Sequence, residues 1–242
     1  MDDPVKLSYS HNGKECSMIL PKLLHLMPFA ANMREVVCEF LCGFEAETRK
    51  VKYLVDVGAS IGAWAIPYSF IFPDVEILAI EPSEYNMRFL KTNCEDFPNI
   101  ELVKIIAHYE KSRLRIAAPS PIQRPDIPTS RPEAGLISVY GTSNHYVEMV
   151  DADTLDNIVD EDKVVDWLKV DVEGHELPVL EGASRILERD RPVLQVELRS
   201  ENQEMAQSTI WKVNKYIMSN RYSMRGDYRG DVFYIPSEYR AK

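Results

Sequence analysis

Between Tyr53 and Leu198 the chain alternates short apolar runs with amphipathic segments, and this alternation constrains the fold more than any other feature. The run "YLVDV" precedes the helix candidate "WAIPYSFIF", where Pro67 must lie in the first turn or kink the helix. "VEILAIEP" precedes "SEYNMRFLKTNCEDF", and Ser83 is placed to cap that helix. "IELVKIIA", "VVDWLKVDVEG" and "PVLQVEL" are further strands, and "LPVLEGASRILER" is a further helix. Strands that alternate with helices at this spacing predict a parallel sheet with helices on both faces.

The two ends of the chain and one internal stretch depart from this rhythm. Residues 1–50 are mixed, and we expect their helical segment around "MREVVCEFLCGF" to pack on an edge or to cap the ligand site. Residues 51–242 are predicted to form one domain, with a helix over 202–219 and a closing hairpin. Residues 117–135 are rich in proline and are predicted to form a long loop, either a lid or a solvated insertion.

The charge balance narrows the class of ligand. The 242 residues carry a formal net charge of -10, without the basic stripe that nucleic-acid binding needs. No uncharged run reaches the roughly 20 apolar residues of a membrane span. We therefore expect a cytoplasmic protein that acts on a small molecule rather than on nucleic acid.

The first turn of the predicted sheet indicates which nucleotide the chain would bind. A dinucleotide site has the order G-x-G-x-x-G, whereas the stretch from Asp56 to Gly62 lacks the first pair of glycines and has the acid Asp56 before the turn at Gly58. A carboxylate repels a pyrophosphate, but it suits the sulfonium and ammonium of S-adenosylmethionine. The backbone of the turn could approach a ligand closely, and the helix opening near Gly62 offers unpaired N–H groups. Glu81, at the end of the second strand, is placed to accept hydrogen bonds from both ribose hydroxyls.

Four stretches in order, "VDVGASIGAW", "AIEPSEYNMRFLKTN", "DADTLDNIV" and "WLKVDVEGHELPVLEGASRIL…RPVLQVEL", resemble the FkbM-type methyltransferase family. The resemblance covers residues 52–198 and is most specific in the run from Lys169 to Glu176. It implies a Rossmann-like class I methyltransferase fold, with a mostly parallel seven-stranded sheet, helices on both faces and a C-terminal antiparallel hairpin. It also implies S-adenosylmethionine as cofactor and a hydroxyl oxygen of a small molecule or sugar as acceptor. The predicted cofactor-binding residues are Asp56, Gly58, Ala59, Ser60, Gly62, Glu81, Pro82 and Ala107.

Acidic residues cluster at the predicted carboxyl ends of the strands, where ligands collect in a parallel sheet. Asp56, Glu81, Asp171 and Glu197 should surround one crevice, with the predicted catalytic residues Asp171, Glu173 and His175 at the loop after the fourth strand. One of these three would take the proton of the acceptor hydroxyl, and an ordinary pKa near neutrality would suit His175 to that task. Structural roles are the alternative, with His175 or Glu173 stabilising the start of the following helix.

Other interpretations stay open at this point. A divalent metal such as Mg²⁺ could bind Asp171 and Glu197, although no compact ligand motif assigns a metal site. His108 and His145 are predicted to be isolated, and His145 is the better candidate to meet the acceptor. A catalytically silent cofactor-binding protein and a nicotinamide-dependent oxidoreductase are the alternative functions, and the missing glycine speaks against the second.

Overall fold

The computed structural model describes residues 5–11, 14–20, 51–71, 74–117, 139–140, 147–199, 210–228 and 230–239. In chain order its strands are β1 (Val5–His11), β2 (Lys14–Leu20), β3 (Tyr53–Val57), β4 (Glu76–Ile80), β5 (Ile100–Val103), β6 (Ile106–Ala107), β7 (Ser112–Ala117), β8 (Val147–Asp153), β9 (Trp167–Val170), β10 (Val193–Glu197), β11 (Tyr222–Tyr228) and β12 (Asp231–Pro236). Its helices are α1 (Ala65–Ile71), α2 (Glu84–Asn93), α3 (Leu155–Ile158), α4 (Glu176–Glu181), α5 (Ser184–Arg189) and α6 (Ile210–Ser219).

A seven-stranded sheet in the order β11-β12-β10-β9-β3-β4-β5 forms the centre of the molecule. The strands from β10 to β5 pair in parallel, whereas β12 runs antiparallel to both of its neighbours. This arrangement confirms the predicted Rossmann-like class I methyltransferase fold and its C-terminal hairpin. The carboxyl ends of β10, β9, β3 and β4 therefore lie side by side in that order.

Helices cover both faces of the sheet, as the unbroken burial of β3, β9 and β10 requires. On one face, Leu54 and Trp167 pack with side chains of α1 and α2. On the other face, Val55, Leu168 and Leu194 pack with side chains of α4, α5 and α6. Pro67 lies in the first turn of α1, and the Ser83 hydroxyl accepts a hydrogen bond from Asn86 N–H at the start of α2.

Two predicted elements are each divided in the structure. The predicted strand 100–107 breaks after Val103, because its last two residues leave the large sheet and pair with β8. The predicted helix 177–189 is interrupted at Gly182, which separates α4 from α5. A continuous apolar pattern does not show where a strand changes its pairing partner, nor where a helix is interrupted.

Two small sheets were not predicted. The strands β6, β8 and β7 form a three-stranded sheet between β5 and β9 in the chain. The strands β1 and β2 pair antiparallel from Val5↔Leu20 to His11↔Lys14, and β2 lies beside α2.

Several predictions concern residues outside the described ranges. These are the helix around 33–44, the first part of the helix over 202–219, the loop over 117–135 apart from Ala117, and His145. The domain boundary at residue 50 also stays a prediction. Within the described ranges, each helix is too short or too polar to cross a bilayer.

Candidate active site

The turn after β3 is attached to the end of β4. The N–H groups of Gly58 and Ala59 both donate to the Ile80 carbonyl, at 2.9 and 3.0 Å. Ser60, with a positive φ of 52°, donates its N–H to Glu81 Oε2 at 2.9 Å. These N–H groups are therefore already paired with the neighbouring strand. These three N–H groups are therefore not free to bind a ligand at this turn.

The two glycines of the turn are needed for packing within the protein. Gly58 has φ +84°, and a Cβ there would lie 1.8 Å from the Asp171 carbonyl oxygen. A side chain at position 58 would therefore meet the backbone that follows β9. Gly62 has φ +92°, and its N–H donates to the Ala59 carbonyl at 2.8 Å. The predicted unpaired N–H at the opening of this helix is therefore wrong at Gly62, and a Cβ there would press against Leu90.

Glu81 lies at the carboxyl end of β4 with only 4% of its surface exposed. Its Oε1 accepts from Ser83 N–H at 2.8 Å and from Asn86 Nδ2 at 3.3 Å, and its Oε2 accepts from Ser60 N–H. Burial raises the pKa of Glu81 to about 7, although these hydrogen bonds favour the carboxylate. A carboxylate offers about four acceptor positions, so a donor from a ligand can still be accommodated.

Asp56 lies one residue before the end of β3 and is fully buried. Lys169 stands opposite it on β9, with Nζ 3.3 Å from Asp56 Oδ1 and 3.1 Å from Asp171 Oδ2. Burial alone would lower the pKa of Lys169, but the carboxylates of Asp171, Asp56 and Asp231 outweigh it and raise that pKa. The buried ammonium of Lys169 therefore stands between Asp56 and Asp171 at the crevice. The sequence analysis did not predict this role of Lys169. A lysine within the apolar run "WLKV" was the available signal.

The carboxyl ends of β9 and β10 carry three clustered acids. One carboxylate oxygen from each of Asp171, Glu173 and Glu197 lies within 4.8 Å of the others. Burial raises the pKa of both Glu173 and Glu197, and the charge of Asp171 raises both further. Such a group holds protons at neutral pH or attracts a cation, and its composition does not select one metal. Arg199 partly offsets the charge, with Nε 2.9 Å from Glu197 Oε1.

His175 is buried rather than open to the crevice. Its Nε2 lies 3.0 Å from His108 Nδ1, and its Nδ1 lies 3.2 Å from the Tyr140 hydroxyl. Burial, together with the neighbouring His108, lowers the pKa of His175 to about 3. The prediction of an ordinary pKa is therefore wrong, and so is the prediction that His108 is isolated. His175 precedes α4, but its side chain makes no capping hydrogen bond there.

The structure brings the predicted residues into two neighbouring groups along one edge of the sheet. Glu81 and the turn from Gly58 to Gly62 lie at the ends of β4 and β3, and Asp171, Glu173 and Glu197 lie at the ends of β9 and β10. Ala59 and Ala107 are buried, whereas Ser60 and Pro82 are partly exposed. The predicted ring of four carboxylates is incomplete, because Asp56 lies below the rim.

Comparisons with known proteins agree with this architecture. The sequence profile of the methyltransferase FkbM domain matches residues 56–224. A crystal structure of methyltransferase FkbM from Methylobacillus flagellatus KT is similar, with 20% identity and a TM-score of 0.53. That match covers 79% of this chain and 46% of the Methylobacillus chain, so this chain spans about half the length of that protein. At this identity the similarity shows the fold alone.

Two other solved structures are more distantly similar. A precorrin-6y C5,15-methyltransferase from Geobacter metallireducens GS-15 has 14% identity and a TM-score of 0.49, over 90% of this chain and 92% of its own. Fibrillarin from Aeropyrum pernix, with natively bound S-adenosyl-L-methionine, has 16% identity and a TM-score of 0.49, over 95% and 81%. Among curated proteins there is no match. The profile match spans more than half of the chain. The chain therefore belongs to the FkbM methyltransferase domain family.

Proposed function

We propose that this chain transfers the methyl group of S-adenosylmethionine to a hydroxyl oxygen of a small molecule or sugar. The observation that carries the proposal is the group of acids at the ends of β4, β9 and β10, within a methyltransferase family. A pyrophosphate would be repelled there, whereas a cofactor with a sulfonium and an ammonium would be attracted. A nicotinamide cofactor is disfavoured for the same reason.

In this proposal Glu81 accepts hydrogen bonds from the ribose hydroxyls, for which its Oε2 has capacity beside the single bond from Ser60. The other proposed cofactor contacts are Gly58, Ala59, Ser60 and Gly62 of the turn, together with Pro82 and Ala107. Asp56 contributes through Lys169, because its own carboxylate is fully enclosed. The cations of the cofactor would favour the ionised form of Glu81 and lower its pKa on binding.

The proposed reaction is an in-line displacement at the methyl carbon. The acceptor oxygen forms a bond to that carbon, the carbon–sulfur bond breaks, and sulfur keeps the electron pair as S-adenosylhomocysteine is released. The proposal gives the hydroxyl proton to the Glu173 carboxylate, with Asp171 beside it. Burial raises the pKa of Glu173, and a carboxylate with a raised pKa is a stronger base once ionised. His175, with its lowered pKa, is instead assigned a positioning role.

Calorimetric titration with S-adenosylhomocysteine and with NAD tests the cofactor assignment. We expect S-adenosylhomocysteine to bind and NAD to give no heat. Glu81→Ala should weaken S-adenosylhomocysteine about 5- to 150-fold, the range for lost charge-assisted hydrogen bonds. The control is Glu84→Ala, which removes an exposed carboxylate of α2 that pairs with Lys104, and it should leave the affinity unchanged. Equal affinities for the two variants would remove the proposed role of Glu81.

Turnover then separates an active enzyme from a cofactor-binding protein without catalysis. Isotope-labelled S-adenosylmethionine incubated with extracts of hydroxylated small molecules and glycans should yield a labelled O-methyl product. The same assay with a chelator tests the metal alternative. If chelation abolishes methyl transfer and Mg²⁺ restores it, Asp171 and Glu197 are assigned to a metal site. Cofactor binding without any labelled product across these extracts would favour the silent protein.

A further inference from the structure

A hydrogen-bonded chain of three side chains lies beside the proposed base and takes no part in the proposed chemistry. His108, His175 and Tyr140 are joined by contacts of 3.0 and 3.2 Å between His108 Nδ1 and His175 Nε2, and between His175 Nδ1 and the Tyr140 hydroxyl. Only 6% of His108 and 3% of His175 is exposed, and the two rings stack with centroids 5.0 Å apart. The chain links three segments that are distant in sequence.

With neutral rings, the hydrogen bonds of this chain can run in only two ways. A neutral imidazole has one donor nitrogen and one acceptor nitrogen, and His175 uses both nitrogens. The bonds therefore run in a single direction, either from the Tyr140 hydroxyl towards His108 or the reverse. Neutral rings are favoured because burial lowers the pKa of both imidazoles.

His108 holds both ends of the short helix α4. Its side chain meets His175, immediately before the helix, and its carbonyl oxygen lies where a Cβ on Gly182, immediately after the helix, would be only 1.9 Å away. Its own N–H donates to the Asp153 carbonyl at 2.8 Å, at the end of β8. His108 is thus fixed to a strand and in turn brackets the helix.

The turn between β9 and α4 needs such support. Glu173 has φ +55° and Gly174 has φ +99°, and a left-handed glutamate persists only where surrounding contacts hold it. Glu176, fully buried, supports the turn from one side by accepting from Val172 N–H at 3.4 Å and Gly174 N–H at 3.0 Å. On the C-terminal side of the turn, the His175 ring lies between His108 and Tyr140.

We propose that His108 is a positioning residue that fixes, through His175, the turn carrying Glu173, with Tyr140 completing the chain. The naming of Glu173 as base rests on the proposed function, whereas the fixing of the turn is independent of it. An experiment that measures the stability of the turn therefore tests the role of His108 separately from the role of Glu173 as base.

The test is amide hydrogen exchange of the segment 172–176 in the full chain, with four variants. His108→Leu removes the hydrogen-bonding atom, whereas His108→Asn keeps an amide close to the position of Nδ1. Tyr140→Phe removes one hydroxyl from the chain, and Tyr109→Phe is the matched control on an exposed ring that contacts His108 at a tilt of 43°. The exchange of this segment should rise about 3- to 10-fold in His108→Leu and in Tyr140→Phe, the scale of one lost hydrogen bond.

His108→Asn should restore most of the protection, and Tyr109→Phe should not change it. Nitrogen NMR of the unmodified chain should also show one protonated nitrogen in each of the two rings. The proposal is overturned if exchange rises evenly across the molecule, if Asn fails to restore protection, or if either ring is doubly protonated at neutral pH. S-adenosylhomocysteine titration of the same proteins reports separately on the proposed function. Should His108→Leu not fold, Tyr140→Phe and the NMR spectrum still decide the question.

Discussion

Replacing Lys169 with methionine should destabilise the protein strongly and in a pH-dependent way. The side chain is fully buried on β9, and its ammonium is 3.3 Å from Asp56 Oδ1. Methionine keeps a similar length but leaves the Asp56 carboxylate enclosed without its cation. Breaking a buried ion pair in this way typically costs about 3–5 kcal/mol.

The cost has an upper limit, because Asp56 can escape by binding a proton. Its ordinary pKa is 3.8, so holding the proton at pH 7 costs at most about 4.4 kcal/mol at 1.36 kcal/mol per pH unit. The same limit at pH 5 is about 1.6 kcal/mol. A folded-state pKa above the unfolded value means that stability is lost as pH rises, so the variant should lose about 3–4 kcal/mol at pH 7 and about 1–2 kcal/mol at pH 5.

Urea denaturation at the two pH values measures these losses. Lys163→Met is the matched control, since Lys163 pairs with the exposed Glu76 and its loss should change the stability far less. The double variant Asp56→Asn with Lys169→Met should recover part of the loss, because no carboxylate is left unpaired at position 56. A loss below about 1 kcal/mol at pH 7, or the same loss at both pH values, would refute the reasoning.

Three further predictions follow from the site. Gly58→Ala should cost about 2–5 kcal/mol in urea denaturation, from the positive φ and the clash with the Asp171 carbonyl, and an unchanged midpoint would contradict the packing described. Between pH 4.5 and 7 the free energy of unfolding of the ligand-free protein should fall by about 3 kcal/mol, because burial raises the pKa of Glu81 to about 7. Glu81→Gln should flatten that part of the stability–pH curve. Glu173→Gln and Asp171→Asn should both keep the affinity for S-adenosylhomocysteine. The variant that removes the base should lower methyl transfer about 100- to 10,000-fold, and full activity in both variants would exclude these two acids as the base.

The sequence indicated most strands of the central sheet, because they are largely apolar runs bounded by glycine, proline or acids. Local residue types likewise predicted the turn at Gly58, the cap at Ser83 and the closing hairpin. The division of the helix at Gly182 was not predicted, and the His108 carbonyl against which Gly182 packs belongs to a distant part of the chain. The pairing of His108 with His175 spans 67 residues and leaves no local pattern.

Burial limited what the sequence could indicate about the site. The acids at the strand ends were identified by type and position, but their protonation depends on how deeply each is enclosed. Asp56 is fully enclosed and paired with Lys169, whereas Asp171 stays partly exposed. His175 was expected to titrate near neutrality, and only the packing around its ring shows that its pKa is lowered to about 3.

A crystal structure with S-adenosylhomocysteine tests the central claim most directly. We predict that the ligand lies across the carboxyl ends of β3 and β4, with its ribose hydroxyls within hydrogen-bonding distance of Glu81 Oε2. The sulfur should then face the crevice between the turn at Gly58 and the carboxylates of Asp171 and Glu173. A ligand bound elsewhere on the protein, or ribose hydroxyls out of reach of Glu81, would contradict the account.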